Sequence, residues 1–264
     1  MQLEAGCTLT FDMQAPVPMV LMLRPRSGAG QWVVRESYDL TPHVPVTEYT
    51  DGFGNLCQRL VTPVGTFRVE VVVTVDAPDV LDSDPQAAYV PVEQLPEDVL
   101  HFLLPSRYAP SDQLGDLALE IVQQAESGYG QVEAIRAWIH QNVAYEYGVS
   151  NASTSALDTA QQRRGVCRDF SHLGIALCRS LNIPARMVVG YLHELKPMDL
   201  HAWFEAFVGG RWYTFDATQP TLRGNRITIA YGRDAADVAL TTQFGPGTLD
   251  LMHVWVQASE PVPA

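Results

Sequence analysis

Two runs rich in β-branched and aromatic residues, His201–Val208 and Arg211–Thr218, are separated by Gly209-Gly210 alone. Two glycines between such runs predict a tight hairpin, because the turns that match strand twist need positive φ at their central positions. The hairpin commits this stretch to an antiparallel sheet and also fixes parity. With a two-residue loop, Val208 pairs with Arg211, Trp203 lies opposite Asp216, and His201 lies opposite Thr218. Side chains alternate with period 2, so His201 and Asp216 are diagonal neighbours on one face, their Cβ atoms roughly 7–8 Å apart or somewhat less. An odd loop length would put them on opposite faces. An imidazole and a carboxylate can bridge that distance. The carboxylate then fixes the ring tautomer and stabilises its cationic form.

Upstream, Phe170, Leu173, Gly174, Leu177, Cys178 and Leu181 recur at a spacing of three to four and predict an amphipathic helix from Cys167, ended by Asn182 and Pro184. Cys167 follows Arg163-Arg164-Gly165-Val166 and falls in the first turn. Unpaired backbone N–H groups and the positive end of the helix dipole face that position. Both favour a thiolate, and the same N–H groups suit an oxyanion on an attacked carbonyl. Gly165 fits a sharp turn that opens the thiol to approach. A free cysteine taken alone is most often a buried, inert hydrophobe. Cys178, on the apolar face, is that case, and Cys7 and Cys57 sit in expected strands without assigned chemistry. A thiol at a helix N-terminus facing a His–Asp pair on a sheet is the arrangement of thiol acyl transfer.

The rest of the chain divides in two. Residues 1 to about 78 show strand patterns, as in Thr8–Phe11 and Arg68–Val75, with the turn chemistry of Asp51-Gly52-Phe53-Gly54-Asn55 between such runs. A β-sandwich is the expectation there. Prolines and acidic breaks across 76–97 mark a linker. Helices are then expected from Ser111-Asp112, after Gly130, and from Ser155 to Arg164. Strands return at Arg186–Leu192 and, in the tail, at Arg226–Ala230 and Leu249–Gln257. The expected fold is therefore α+β, with a β-sandwich-like module over 1–95 and a catalytic domain over 96–264, a Cys-bearing helix packed on an antiparallel sheet.

With 47% hydrophobic and only 18% charged residues, the 264-residue chain can bury a sizeable core and is no coiled coil or disordered tract. A net charge of −13 disfavours nucleic acid or an anionic membrane as partner. The first residues carry no basic segment leading into an apolar run, and no CxxC pairs the four cysteines. The expectation is a cytoplasmic protein with free thiols and no membrane segment. No cofactor is expected. A metal site from His193, His201 and Asp216 has no recognisable ligand spacing and ranks low.

Four blocks, Arg163–Leu173, Leu181–Tyr191, His201–Phe207 and Trp212–Thr218, resemble the core of the bacterial transglutaminase-like superfamily. The N-terminal region with Asp51–Asn55, and the tail Gly232–Val238, resemble the same bacterial subgroup, so the likeness spans nearly the whole chain. Many relatives have Asp-Pro-Thr where this chain has Asp216-Ala217-Thr218. The resemblance implies a papain-like fold and places the family's Cys, His and Asp on Cys167, His201 and Asp216. It implies a cysteine peptidase or isopeptidase acting on a protein or peptide substrate through a thioester. The alternatives are a protein-glutamine transglutaminase, which passes the acyl group to an amine, and a non-catalytic binding module of the same fold. Tyr145, with Tyr147 nearby, is a candidate oxyanion donor by family analogy, and Trp203 a candidate cleft wall or sheet-packing residue. Asp169 is expected to cap the Cys helix, His172 to be a packed polar residue, and Asp234 and Asp237 to hold a loop.

Overall fold

The computed structural model describes residues 1–28, 30–221 and 223–259. The regular structure of residues 1–76 is all strand: β1 (Gln2–Met13), β2 (Val17–Arg24), β3 (Trp32–Thr41), β4 (Val46–Thr50), β5 (Leu56–Thr62) and β6 (Gly65–Asp76). Alternation explains why. Leu3, Ala5, Cys7, Leu9, Phe11 and Met13 of β1 are buried, and so are Phe67, Val69, Val71, Val73 and Val75 of its partner β6. The opposing sheet contributes Val17, Met19, Leu21 and Leu23 of β2.

Helices and strands then mix: α1 (Gly115–Ile121), α2 (Tyr129–Asn142), β7 (Ala144–Tyr145), α3 (Ala156–Gln162), β8 (Arg164–Gly165), α4 (Cys167–Ser180), β9 (Ala185–Leu192), β10 (His201–Val208), β11 (Arg211–Phe215) and β12 (Arg226–Gly232). Strands β13 (Thr241–Gln243) and β14 (Gly247–Ala258) finish the chain. The sequence-predicted helix starts and ends lie within a few residues of these bounds. Among the described residues no helix is long and apolar enough to cross a membrane.

The central sheet has the antiparallel order β11-β10-β9-β12. Helix α4 packs on β10, with Gly174 so close to Phe204 that an added Cβ would sit 2.5 Å from its ring. The predicted hairpin forms. Gly209 and Gly210 have φ of 59° and 83°, and Val208 pairs with Arg211 out to Phe204 with Phe215.

The tail crosses the expected division at residue 95. Strand β14 pairs with β1, giving the order β14-β1-β6-β3, and β13 pairs with β2, giving β13-β2-β5-β4. A boundary drawn along the chain misses this return, because strand pairing satisfies open edges regardless of sequence order. The linker is docked as well: Ala87 accepts from the Tyr129 N–H, and Ala88 accepts from that of Gly209.

Two amide side chains join the halves. Gln31 donates to the Thr228 carbonyl at 2.8 Å and accepts from the Thr228 N–H at 2.7 Å. Asn55 does the same to Tyr231, at 2.7 and 2.8 Å. Each amide thus acts as one residue of a missing fifth strand along the β12 edge. The Asp51–Asn55 turn aims one of them: Asp51 accepts from the N–H groups of Phe53 and Asn55 and from the Asn55 side chain.

Candidate active site

Cys167 is the first residue of α4 and is partly exposed. Its helix is capped from within. Asp169, fully buried, reaches back to accept from the Val166 N–H at 2.9 Å. Gly165 is glycine for that carboxylate: a Cβ there would lie 2.7 Å from Asp169 Cβ. The expected cap therefore forms, whereas room for Asp169, rather than access to the thiol, is what the structure asks of Gly165.

His201 begins β10 and is 3% exposed. Its Nε2 lies 2.8 Å from Asp216 Oδ2, on the face that hairpin parity predicts. The ring and the Cys167 side chain line the same cleft. The three residues drawn from separate blocks of sequence therefore meet at one point. Burial works against a charged imidazole, but the Asp216 carboxylate and the Cys167 contact outweigh it and push the His201 pKa up to about 9.

Asp216 is fully buried and saturated with donors. Besides His201, Arg226 Nη2 donates to Oδ2 at 2.8 Å. Oδ1 accepts from the Thr218 N–H at 3.0 Å and from the Thr218 hydroxyl at 2.7 Å. Burial alone would raise its pKa; the charges of Arg226 and His201, with these hydrogen bonds, instead hold it well below the usual carboxylate range. Arg226 and Thr218 are functional neighbours that the sequence reading missed. Thr218 follows the Asp within a local turn. Arg226 arrives from β12, whose register with β9 no local motif encodes.

Tyr145 and Trp203 fare differently. The parallel pairing of Tyr145 with Gly165 brings β7 alongside the start of α4. Tyr145 is 45% exposed and packs against Phe170. Burial first, and then the charge at Cys167, raise its pKa. Trp203 is only 2% exposed and lines none of the cleft around the thiol. The expectation of a cleft wall therefore fails for this cleft, and Trp203 instead packs the sheet beneath His201 (ring centroids 6.1 Å apart) and under the Arg226 guanidinium at 4.9 Å. Tyr147, 55% exposed, packs edge-on against Tyr145.

The remaining candidates are structural. His172 is fully buried, stacks on Tyr108 at 5.0 Å, and accepts from the Ala235 N–H through Nε2, while burial pushes its pKa down to about 4. Asp234 holds the Tyr108 and Ala236 N–H groups, and Asp237 ties Arg233, so both carboxylates do hold a loop. Cys7, Cys57 and Cys178 are buried free thiols, with burial raising each pKa.

Comparison with known proteins identifies the fold's family. Residues 115–217 match a family described as the transglutaminase-like superfamily, and residues 12–77 match the bacterial transglutaminase-like N-terminal region. The crystal structure of "a Putative Cysteine Protease from Cytophaga hutchinsonii" is similar at a TM-score of 0.92 and 39% identity, covering 100% of this chain and 92% of that one. "Uncharacterized protein ML0607" of Mycobacterium leprae is 28% identical over 235 residues, 82% of each chain. "Uncharacterized protein YebA" of Bacillus subtilis is 25% identical over 141 residues, 45% of this chain and 19% of that one.

Proposed function

Because the chain belongs to the transglutaminase-like superfamily, we propose that it is a thiol acyl-transfer enzyme, a cysteine peptidase or isopeptidase with the triad Cys167, His201 and Asp216. One observation carries this reading: the His201 ring is hydrogen-bonded to a buried carboxylate and shares a cleft with a thiol at a helix N-terminus. An imidazole that keeps its proton up to about pH 9 can hand that proton to a leaving amine.

The sulfur attacks the carbonyl carbon of the substrate amide. The unpaired N–H groups at the start of the Cys167 helix, with the Tyr145 hydroxyl as a second candidate donor, would receive the developing oxyanion. As the C–N bond breaks, His201 passes its proton to the leaving amine and a thioester remains. Water, deprotonated by His201, then cleaves the thioester to the free acid and restores the thiol. Asp216 stays ionised throughout and stabilises the imidazolium, while Arg226 and Thr218 keep it charged and oriented.

Iodoacetamide at near-neutral pH tests the nucleophile. Wild type and Cys178→Ala are expected to be alkylated rapidly at one cysteine, and Cys167→Ser is not. A Cys167 that reacts no faster than a free thiol would sink the reading. Acyl groups trapped on Cys167 from a lysate, identified by mass spectrometry, then name the substrate. Incorporation of a fluorescent amine into casein without free-acid product would move the assignment to transamidation.

A further inference from the structure

The thiol opens onto a cleft of about 250 Å³ whose walls are almost entirely hydrocarbon. Met187 and Val189 of β9, Leu200 and Ala202 beside His201, and Val238 and Leu240 across the gap line it. Arg168 at the rim is the one formally charged side chain among the lining residues apart from the catalytic pair, and its guanidinium is already engaged with Asp169 and the Asn151 carbonyl.

The wall at 235–240 is not a loose loop. The N–H of Ala235 donates to the buried His172, and that of Ala236 donates to Asp234. Asp237 is tied to Arg233 twice over. At the far end the Leu240 carbonyl accepts from the Met22 N–H at 2.9 Å, and the next residues pair with β2 as β13. The N-terminal module therefore fixes one wall of a cleft whose other side carries the nucleophile.

We infer that this cleft is a specificity subsite for an apolar, uncharged side chain of leucine to phenylalanine size, within two residues of the bond that Cys167 attacks. The inference rests on the acyl-transfer reading above and adds the substrate class. A charged side chain entering here would lose its water and meet no partner. An apolar one would exchange water for Met187, Val189 and Leu240. The rigid wall makes the site selective as well as greasy, because a packed wall cannot yield to fit a larger group.

The test is cleavage-site profiling by mass spectrometry with a synthetic peptide library randomised on both sides of the scissile bond. Wild type should enrich Leu, Met and Phe at one position and disfavour Ala there by about 10–200-fold in kcat/KM, with Asp and Lys lower still. Leu240→Trp fills the cleft and should shift that position to Ala and Gly, while Leu240→Ala should admit Trp and Tyr. A flat wild-type profile, or a charged preference, overturns the subsite and leaves the acyl-transfer reading standing. Identical profiles for wild type and a folded Leu240 variant also overturn it. A library that is neither cleaved nor trapped as a thioester on Cys167 overturns both.

Discussion

Asp216 keeps a charge in a place where burial would remove it, and the cost is offset by Arg226, His201 and Thr218 together. The consequence is testable through pH. The His201 proton is held by that carboxylate, so activity that needs a protonated imidazole persists up to about pH 9 and falls above it. The sign for stability is the same. A folded pKa raised above the ordinary 6.5 contributes stability that is complete below about 6.5 and is lost as pH rises through about 9. Asp216→Asn leaves the Arg226 cation and the burial of His201 without their anion, and both act to discharge the imidazole. The alkaline limb of kcat/KM should then move well below 9, with kcat reduced about 10²–10⁴-fold. A pH-rate profile measures both, and an unmoved limb would deny Asp216 its role. His201 and Asp216 were legible in the sequence because hairpin parity depends only on counting from Gly209-Gly210. Arg226 was not, because its approach depends on how β12 registers against β9, ten residues beyond the Asp and on the far side of the sheet.

Strand β12 reaches that register through a close approach. Its pairing with β9 shifts between Thr228 and Ala230, and at that bulge Gly190 faces the Ile227 carbonyl, 1.9 Å from where a Cβ would be. Gly190 is also the β9 residue paired with His201. Only a residue without a side chain lets β12 lie this close, and the obstacle is backbone, which cannot rotate away. Gly190→Ala should therefore cost more than an ordinary overpacked core site, about 3 kcal/mol or more where 1–3 is usual. It should also pull Arg226 from Asp216, so activity falls further than the folded fraction does. Denaturant unfolding and kcat/KM on the same samples separate the two effects. In the sequence, Gly190 lies inside the expected strand Arg186–Leu192 and is assigned no role. The helices and central strands were legible because each repeats its apolar residues with its own period, whereas a bulge is an interruption that carries no period.

The whole molecule is joined more tightly than its sequence blocks suggest. One buried apolar cluster runs from Leu3 and Phe67 through Leu173 and Phe204 to Val254. The tail strands return to the N-terminal sheets, and Gln31 and Asn55 cover the open edge of the catalytic sheet. A linker rich in proline and acidic residues suggested two modules because composition reports local stiffness and says nothing of which edges meet. If the halves were independent, calorimetry would show two transitions, the second untouched by changes in the first. A shared core predicts one. Asn55→Leu tests this at a residue that lies outside the catalytic half. It strands the N–H and C=O of Tyr231, each costing about 1–3 kcal/mol when left without a partner, and frees the Asp51 carboxylate from one of its donors. The single transition should then fall as one unit. Amide exchange at Tyr231 should rise, and the β12 strand that carries Arg226 should loosen with it. Two separated transitions, with the catalytic half melting at its original temperature, would show that the module is only tethered. In that case the cleft wall at 235–240 would owe its position to His172, Asp234 and the Arg233–Asp237 pair.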